Sequence, residues 1–149
     1  MSRVQWLLVL LLCGLVLIPP RPSRGAEVVE FVVITHPLTG VESITRERLS
    51  HYFLKKETRW TSGVEVQPVD LPEESAVRAS FSEEVLQRSV QAVRAWWQQR
   101  IFSGRGLPPE TRASDAEVVQ FVRDTPGAVG YVSAGTDVRG VQVLVVEDP

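Results

Sequence analysis

The stretch VDLPEESAVR, residues 69–78, sets a hydroxyl, Ser75, a small residue, Ala76, and a guanidinium, Arg78, at the start of a helical pattern. Free N–H groups at such a start, with a hydroxyl and a cation beside them, make the kind of cradle that takes phosphate or another small oxyanion. Two carboxylates, Glu73 and Glu74, stand just before Ser75 and already answer the positive end of the helix. Each residue also has a plainer use. Ser75 either caps the helix or offers a ligand hydroxyl, and Arg78 either reaches the helix start or pairs with Glu74 four residues back. Thr35 and His36 form a second candidate pair. They follow a strong strand pattern, and strand ends are where ligands sit in open α/β sheets, although a His before Pro37 is also an ordinary turn residue.

Other chemistries find little support. The sequence has no GxSxG and no obvious Ser, His and acid set, so an enzyme is not expected. His36 and His51 show no metal-ligand spacing, and no cofactor motif is present. SGRG, residues 103–106, lacks the length and the Lys-Ser end of a nucleotide loop. Trp60, Trp96 and Trp97 would suit a recognition platform, but the helical spacing of Val90, Val93, Trp97 and Ile101 assigns Trp97 to a core-facing stripe and Trp96 to its margin.

The elements that must position these residues alternate. VVEFVVI (28–34) reads as a strand buried on both faces, and residues 43–56 as a short amphipathic helix capped by Thr45. A short strand is predicted over 64–69, with Pro68 hinting at an edge or an irregularity. Helices follow over 75–86, 89–102 and 114–125, the last with Ser114 and Glu117 spaced as a capping box. PGAVGYVSAG and VQVLVVE supply two closing strands. The alternation implies an α/β fold with a mixed, mostly parallel sheet flanked by helices, in one domain over residues 26–149.

Residues 1–25 differ in kind. Arg3, an apolar run from Trp6 to Ile18, a Pro-Pro break, and small residues Ser23 and Gly25 have the form of a secretory signal peptide cut near Gly25 or Ala26. The run is shorter than the roughly 20 residues a spanning helix needs, so no stable membrane span is expected after cleavage. Cys13, the single cysteine, lies inside the apolar run, so its removal would leave a mature chain without thiols. Losing Arg3, Arg21 and Arg24 as well leaves 13 basic residues against 18 acidic ones, a formal charge of −5. That balance argues against nucleic acid or an anionic membrane as partner.

Three segments carry a resemblance. ITRERLSHYFLKKETRWTSGVEVQPVDLPEESAVRASF (44–81), AWWQQRIFSGRG (95–106) and TPGAVGYVSAG (125–135) resemble successive parts of the phosphate-type solute-binding proteins of bacterial ABC transporters. Gly127, Gly130 and Tyr131 are the most specific part of the match. The resemblance implies a single periplasmic-binding-protein-like lobe, non-enzymatic and without cofactor, in a periplasmic or secreted protein. The partner it implies is phosphate or another small oxyanion, or else a protein of the envelope or a transporter. Ser75, Ala76, Arg78, Thr35 and His36 are then the expected ligand-binding residues. The chain departs from the family at the turn, which there reads Arg, two residues, then Gly-Ser-Gly-Thr. Here Val69 or Asp70 takes the Arg position, Pro72, Glu73 and Glu74 replace the glycines, and Pro72 removes an N–H donor. Weak or altered oxyanion binding is the expected result.

The exported protein is expected to begin at Ala26 or Glu27. Intact-mass measurement on envelope material checks this, and a mass retaining lipidated Cys13 contradicts it.

Overall fold

The computed structural model describes residues 28–148. The expected signal peptide, its cleavage point and Cys13 lie outside them. Six strands form one sheet: β1 (Phe31–Thr35), β2 (Ser43–Thr45), β3 (Gln67–Asp70), β4 (Glu110–Thr111), β5 (Ala128–Ser133) and β6 (Gln142–Glu147). Their spatial order is β2-β6-β1-β5-β3-β4. β1 runs antiparallel to both its neighbours, β5 and β6, and the other three pairings are parallel. Four helices flank the sheet: α1 (Arg46–Phe53), α2 (Ala76–Phe81), α3 (Val90–Phe102) and α4 (Asp115–Asp124). The α/β class and the mixed, mostly parallel sheet are those the sequence implied.

Register sorts the side chains onto two faces, because successive strand residues point opposite ways. Val33 lies opposite both Tyr131 and Leu144, so these three share a face. There Tyr131 stacks on Phe81 of α2 with centroids 3.8 Å apart, and Phe53 of α1 packs 4.7 Å from Phe81. The other face carries Gly130, pressed by Val118 and Val122 of α4. Gly130 has no side chain because α4 comes that close to the sheet.

The caps explain why the helices start where they do. Thr45, Ser75, Ser89 and Ser114 each accept a backbone N–H from three residues ahead. Glu117 completes a variant of the capping box, since it accepts the N–H of Ala113 rather than that of Ser114.

Several boundaries differ from the sequence expectation. Ser43–Thr45 is a strand rather than helix, because β6 offers it a parallel edge. The strand expected over 64–69 is displaced to Gln67–Asp70, as Trp60–Val64 and Arg59–Glu65 close a tight turn before it. Pro68 is buried in β3 beside Val129 of β5 and is not at the sheet edge. Gln67 N–H bonds Gly127, so the missing N–H of Pro68 faces the other side, where β4 begins only at the level of Val69. The helix after Ser75 widens into a π turn over Ser82–Leu86 and stops at Gln87, whose φ is 52°. Ile101, expected on the buried stripe with Val90, Val93 and Trp97, is 45% exposed.

Gly127 ties the Trp60 turn to β5. Its φ is +81°, its carbonyl accepts the Trp60 indole N–H at 2.9 Å, and a Cβ there would strike the Glu65 carbonyl oxygen. Gly127→Ala is therefore expected to cost about 2 kcal/mol or more in urea unfolding, the sum of a left-handed penalty and a backbone collision.

Candidate functional site

β3 ends at Asp70, and the chain turns through Leu71–Glu74 into α2. Strand alternation puts the Asp70 side chain on the Tyr131 face, and the rigid phenol spans the gap: its hydroxyl donates to Asp70 Oδ1. Leu71 N–H donates to the same oxygen at 2.9 Å. The other oxygen, Oδ2, pairs with Arg78 Nη2 at 3.1 Å, while Arg78 Nη1 donates to the Leu71 carbonyl at 2.7 Å. The Arg78 and Asp70 side chains are only 12% and 14% exposed. Burial pushes the Asp70 carboxyl above its usual value, with Arg78, the Tyr131 hydroxyl and the Leu71 N–H pulling against it. Burial, followed by the Asp70 charge, also holds the Tyr131 phenol well above its ordinary range, so it stays a donor.

Above this junction lies a cleft of about 400 Å³. The end of β3 and the start of α2 form one wall. Trp97, Gln98 and Ile101 of α3, with Pro108, Pro109 and Thr111 after it, form the other. Glu73 and Glu74 sit at its mouth. Glu73 pairs with Arg94 of α3 at 3.1 Å, and Glu74 is exposed and makes no ion pair among the described residues.

The five residues expected at a binding site divide into two groups. Ser75, Ala76 and Arg78 stand together at the C-terminal end of β3. Ser75 Oγ accepts the Arg78 N–H at 3.3 Å and acts as the cap of α2, and Ala76 is the first residue of that helix. Arg78 does not pair with Glu74. The turn brings Asp70 beneath the guanidinium, and the buried carboxylate attracts it more strongly than an exposed one. Thr35 and His36 lie at the C-terminal end of β1, which points the other way. β1 is antiparallel to β5, so Thr35 stands opposite Val129 near the start of β5 and the chain leaves past it, while β3 runs parallel to β5 and carries Asp70 in the opposite direction, to the level of Tyr131. Thr35 is fully buried and its hydroxyl donates to the Ala128 carbonyl at 2.8 Å. His36 Nδ1 accepts the Leu38 N–H at 3.1 Å and caps the turn Pro37–Thr39. Sequence reasoning missed the Asp70–Tyr131 contact, which joins residues 61 apart. The available signal was the acid at a strand end and the tyrosine in GYV.

Ser75 has its oxygen engaged by backbone, and neither histidine lines the cleft. Among the described residues, no group of three or more His, Cys, Asp or Glu is placed to hold a metal ion, and no helix is long and apolar enough to cross a membrane.

No protein-family model matches the sequence, and no curated protein does. Solved structures do match the fold. PstS from Borrelia burgdorferi superposes with a TM-score of 0.62 at 16% identity, over 80% of this chain and 47% of its own. A putative phosphate ABC transporter substrate-binding protein with bound phosphate from Clostridium perfringens gives 0.62 at 17%, over 80% and 45%. An ABC-type phosphate transport receptor from Vibrio cholerae gives 0.62 at 17%, over 80% and 46%. The chain has the fold of one lobe of a phosphate ABC transporter substrate-binding protein. It spans less than half the length of these relatives, which are binding proteins rather than enzymes.

The buried junction makes a pH-dependent prediction. Removing Arg78 takes away the main influence holding Asp70 down, so the carboxyl rises further above its unfolded value of about 3.9. Stability from a group shifted upward is complete below the unfolded value and is lost as pH rises through the folded one. Arg78→Leu is thus expected to cost about 3 kcal/mol near pH 8 and distinctly less as pH falls toward the unfolded value, where protonation relieves the orphaned carboxyl. Arg94→Leu, which breaks an exposed pair, is expected to cost under about 1 kcal/mol. Urea unfolding across pH measures both.

Proposed function

We propose that the protein is an exported, non-catalytic binding protein built on a single lobe of the phosphate-receptor fold, with weak or altered affinity for small oxyanions. The observation that carries this reading is the commitment of Arg78. The cation at the expected cradle is held by the protein's own carboxylate, Asp70, and by the Leu71 carbonyl, inside a fold shared with phosphate-binding proteins. A phosphate drawn to Arg78 would share its guanidinium with Asp70, whose charge already offsets that of the cation and opposes a second anion beside it. Glu73 and Glu74 add like charge to the lining of the cleft, which an incoming anion would have to approach. The leader-like composition of residues 1–25 supports export.

A second reading has its own observation. Ile101, Phe102 and Leu107 are exposed beside the cleft, as they would be in an interaction module docking another protein of the envelope or a transporter.

Calorimetric titration of the leaderless protein with inorganic phosphate is expected to show affinity no tighter than about millimolar, some 4 kcal/mol. Ser75→Ala should lose about 1 kcal/mol of stability equally with and without phosphate, as a cap does. Micromolar binding, or a Ser75→Ala variant as stable as the parent but insensitive to phosphate, contradicts the reading.

A further inference from the structure

Asp70 and Arg78 stand side by side in the wall of the cleft, and their charges answer each other. Asp70 Oδ2 takes Arg78 Nη2 at 3.1 Å, while Oδ1 is kept by the Tyr131 hydroxyl and the Leu71 N–H. The guanidinium also has a hold that does not depend on the carboxylate. Arg78 Nη1 donates to the Leu71 carbonyl at 2.7 Å, a bond that persists when Asp70 carries no charge. One proton on Asp70 therefore changes the field at Arg78 without calling for a movement of the backbone.

The surrounding charges leave Asp70 as the deciding one. Glu73 and Glu74, from the turn, line the cleft, and Glu73 pairs with Arg94 of α3. β4, beside β3, brings Glu110 and Arg112, which pair with each other at 2.8 Å. β5 brings Tyr131, whose phenol remains a donor. Three carboxylates and two guanidiniums thus line the cleft while Asp70 is ionised, and the excess of negative charge disappears when it is neutral. Burial also lifts the Asp70 carboxyl above its ordinary value, so neutrality comes at milder acidity than a surface aspartate needs.

We propose that the charge on Asp70 gates the cleft: ionised, it neutralises Arg78 from within and weakens oxyanion binding, and neutral, it leaves that guanidinium to a small dianion such as sulfate or phosphate. The inference rests on the binding reading given above and adds the condition that sets its strength. The cleft, about 400 Å³, has room for a tetrahedral oxyanion. Affinity rises as pH falls through the titration of Asp70 and is lost again above it. By reciprocity, a bound anion draws a proton onto the carboxyl.

Calorimetric titration with sulfate, whose own charge stays constant, reads the proposal on the leaderless protein from about pH 8 down toward the unfolded aspartate value of about 3.9. The parent is expected to gain at least about tenfold in affinity across that range. Proton uptake on binding, read from titrations in two buffers of different ionisation enthalpy, should accompany the gain. Asp70→Asn keeps an oxygen that can accept from Tyr131 and Leu71. It should bind sulfate at about pH 8 as the parent does in acid, and lose the pH dependence. Glu73→Gln combined with Glu74→Gln separates a general gain of positive charge: affinity should rise at every pH, and the acid-dependent gain should remain. A parent whose sulfate affinity ignores pH, a folded Asp70→Asn protein that binds no better than the parent at about pH 8, or a double variant without pH dependence each overturns the proposal. Should Asp70→Asn fail to fold, the parent's pH series and proton uptake decide alone. Micromolar phosphate binding by the parent near neutral pH contradicts the weak-binding reading instead, so the two failures are distinct.

Discussion

The interaction on which the rest of the site depends is the buried contact of Asp70 with Arg78 and Tyr131. It joins three elements at once, because Asp70 ends β3, Tyr131 stands in the middle of β5 and Arg78 lies on α2. The aromatic ring of Tyr131 is meanwhile held face to face against Phe81 of the same helix. One side chain thus belongs to the apolar core along its ring and to the polar junction at its hydroxyl. The position of α2 over the sheet, and with it one wall of the cleft, follows from that double attachment.

A buried acid with three donors satisfies the polar requirements at the end of β3 from within the protein. A phenol, one backbone N–H and a guanidinium converge there on the protein's own carboxylate, and Pro72, Glu73 and Glu74 make the turn that follows.

Much of the architecture was legible in the sequence because it rests on local signals. Thr45, Ser75 and Ser114 cap the helices assigned to them, and the PGAVGYVS strand is where its pattern places it. Two of the misjudged features depend on partners remote in the chain. Ser43–Thr45 is a strand only because β6 lies beside it, and Pro68 is tolerated inside the sheet only because β4 starts late. The candidate site residues are divided for a like reason: Thr35 and His36 do follow a strand, but that strand is reversed relative to β3, and no local pattern announces strand direction. Arg78 was read against Glu74, its helical neighbour, when the stronger attraction came from a residue on the other side of the turn.

The placement of β1 also governs the order in which the chain can fold. The first strand lies between the last two, and contacts such as Thr35 to Ala128 and Val41 to Gln142 bridge 93 and 101 residues. Loops of that size must close before the centre of the sheet gains its partners, which makes for slow folding by topology alone. A chain emerging from the ribosome would lack both neighbours of β1 until its closing residues were made. The central strand consequently stays unpaired on both sides until the residues of β5 and β6 have been added.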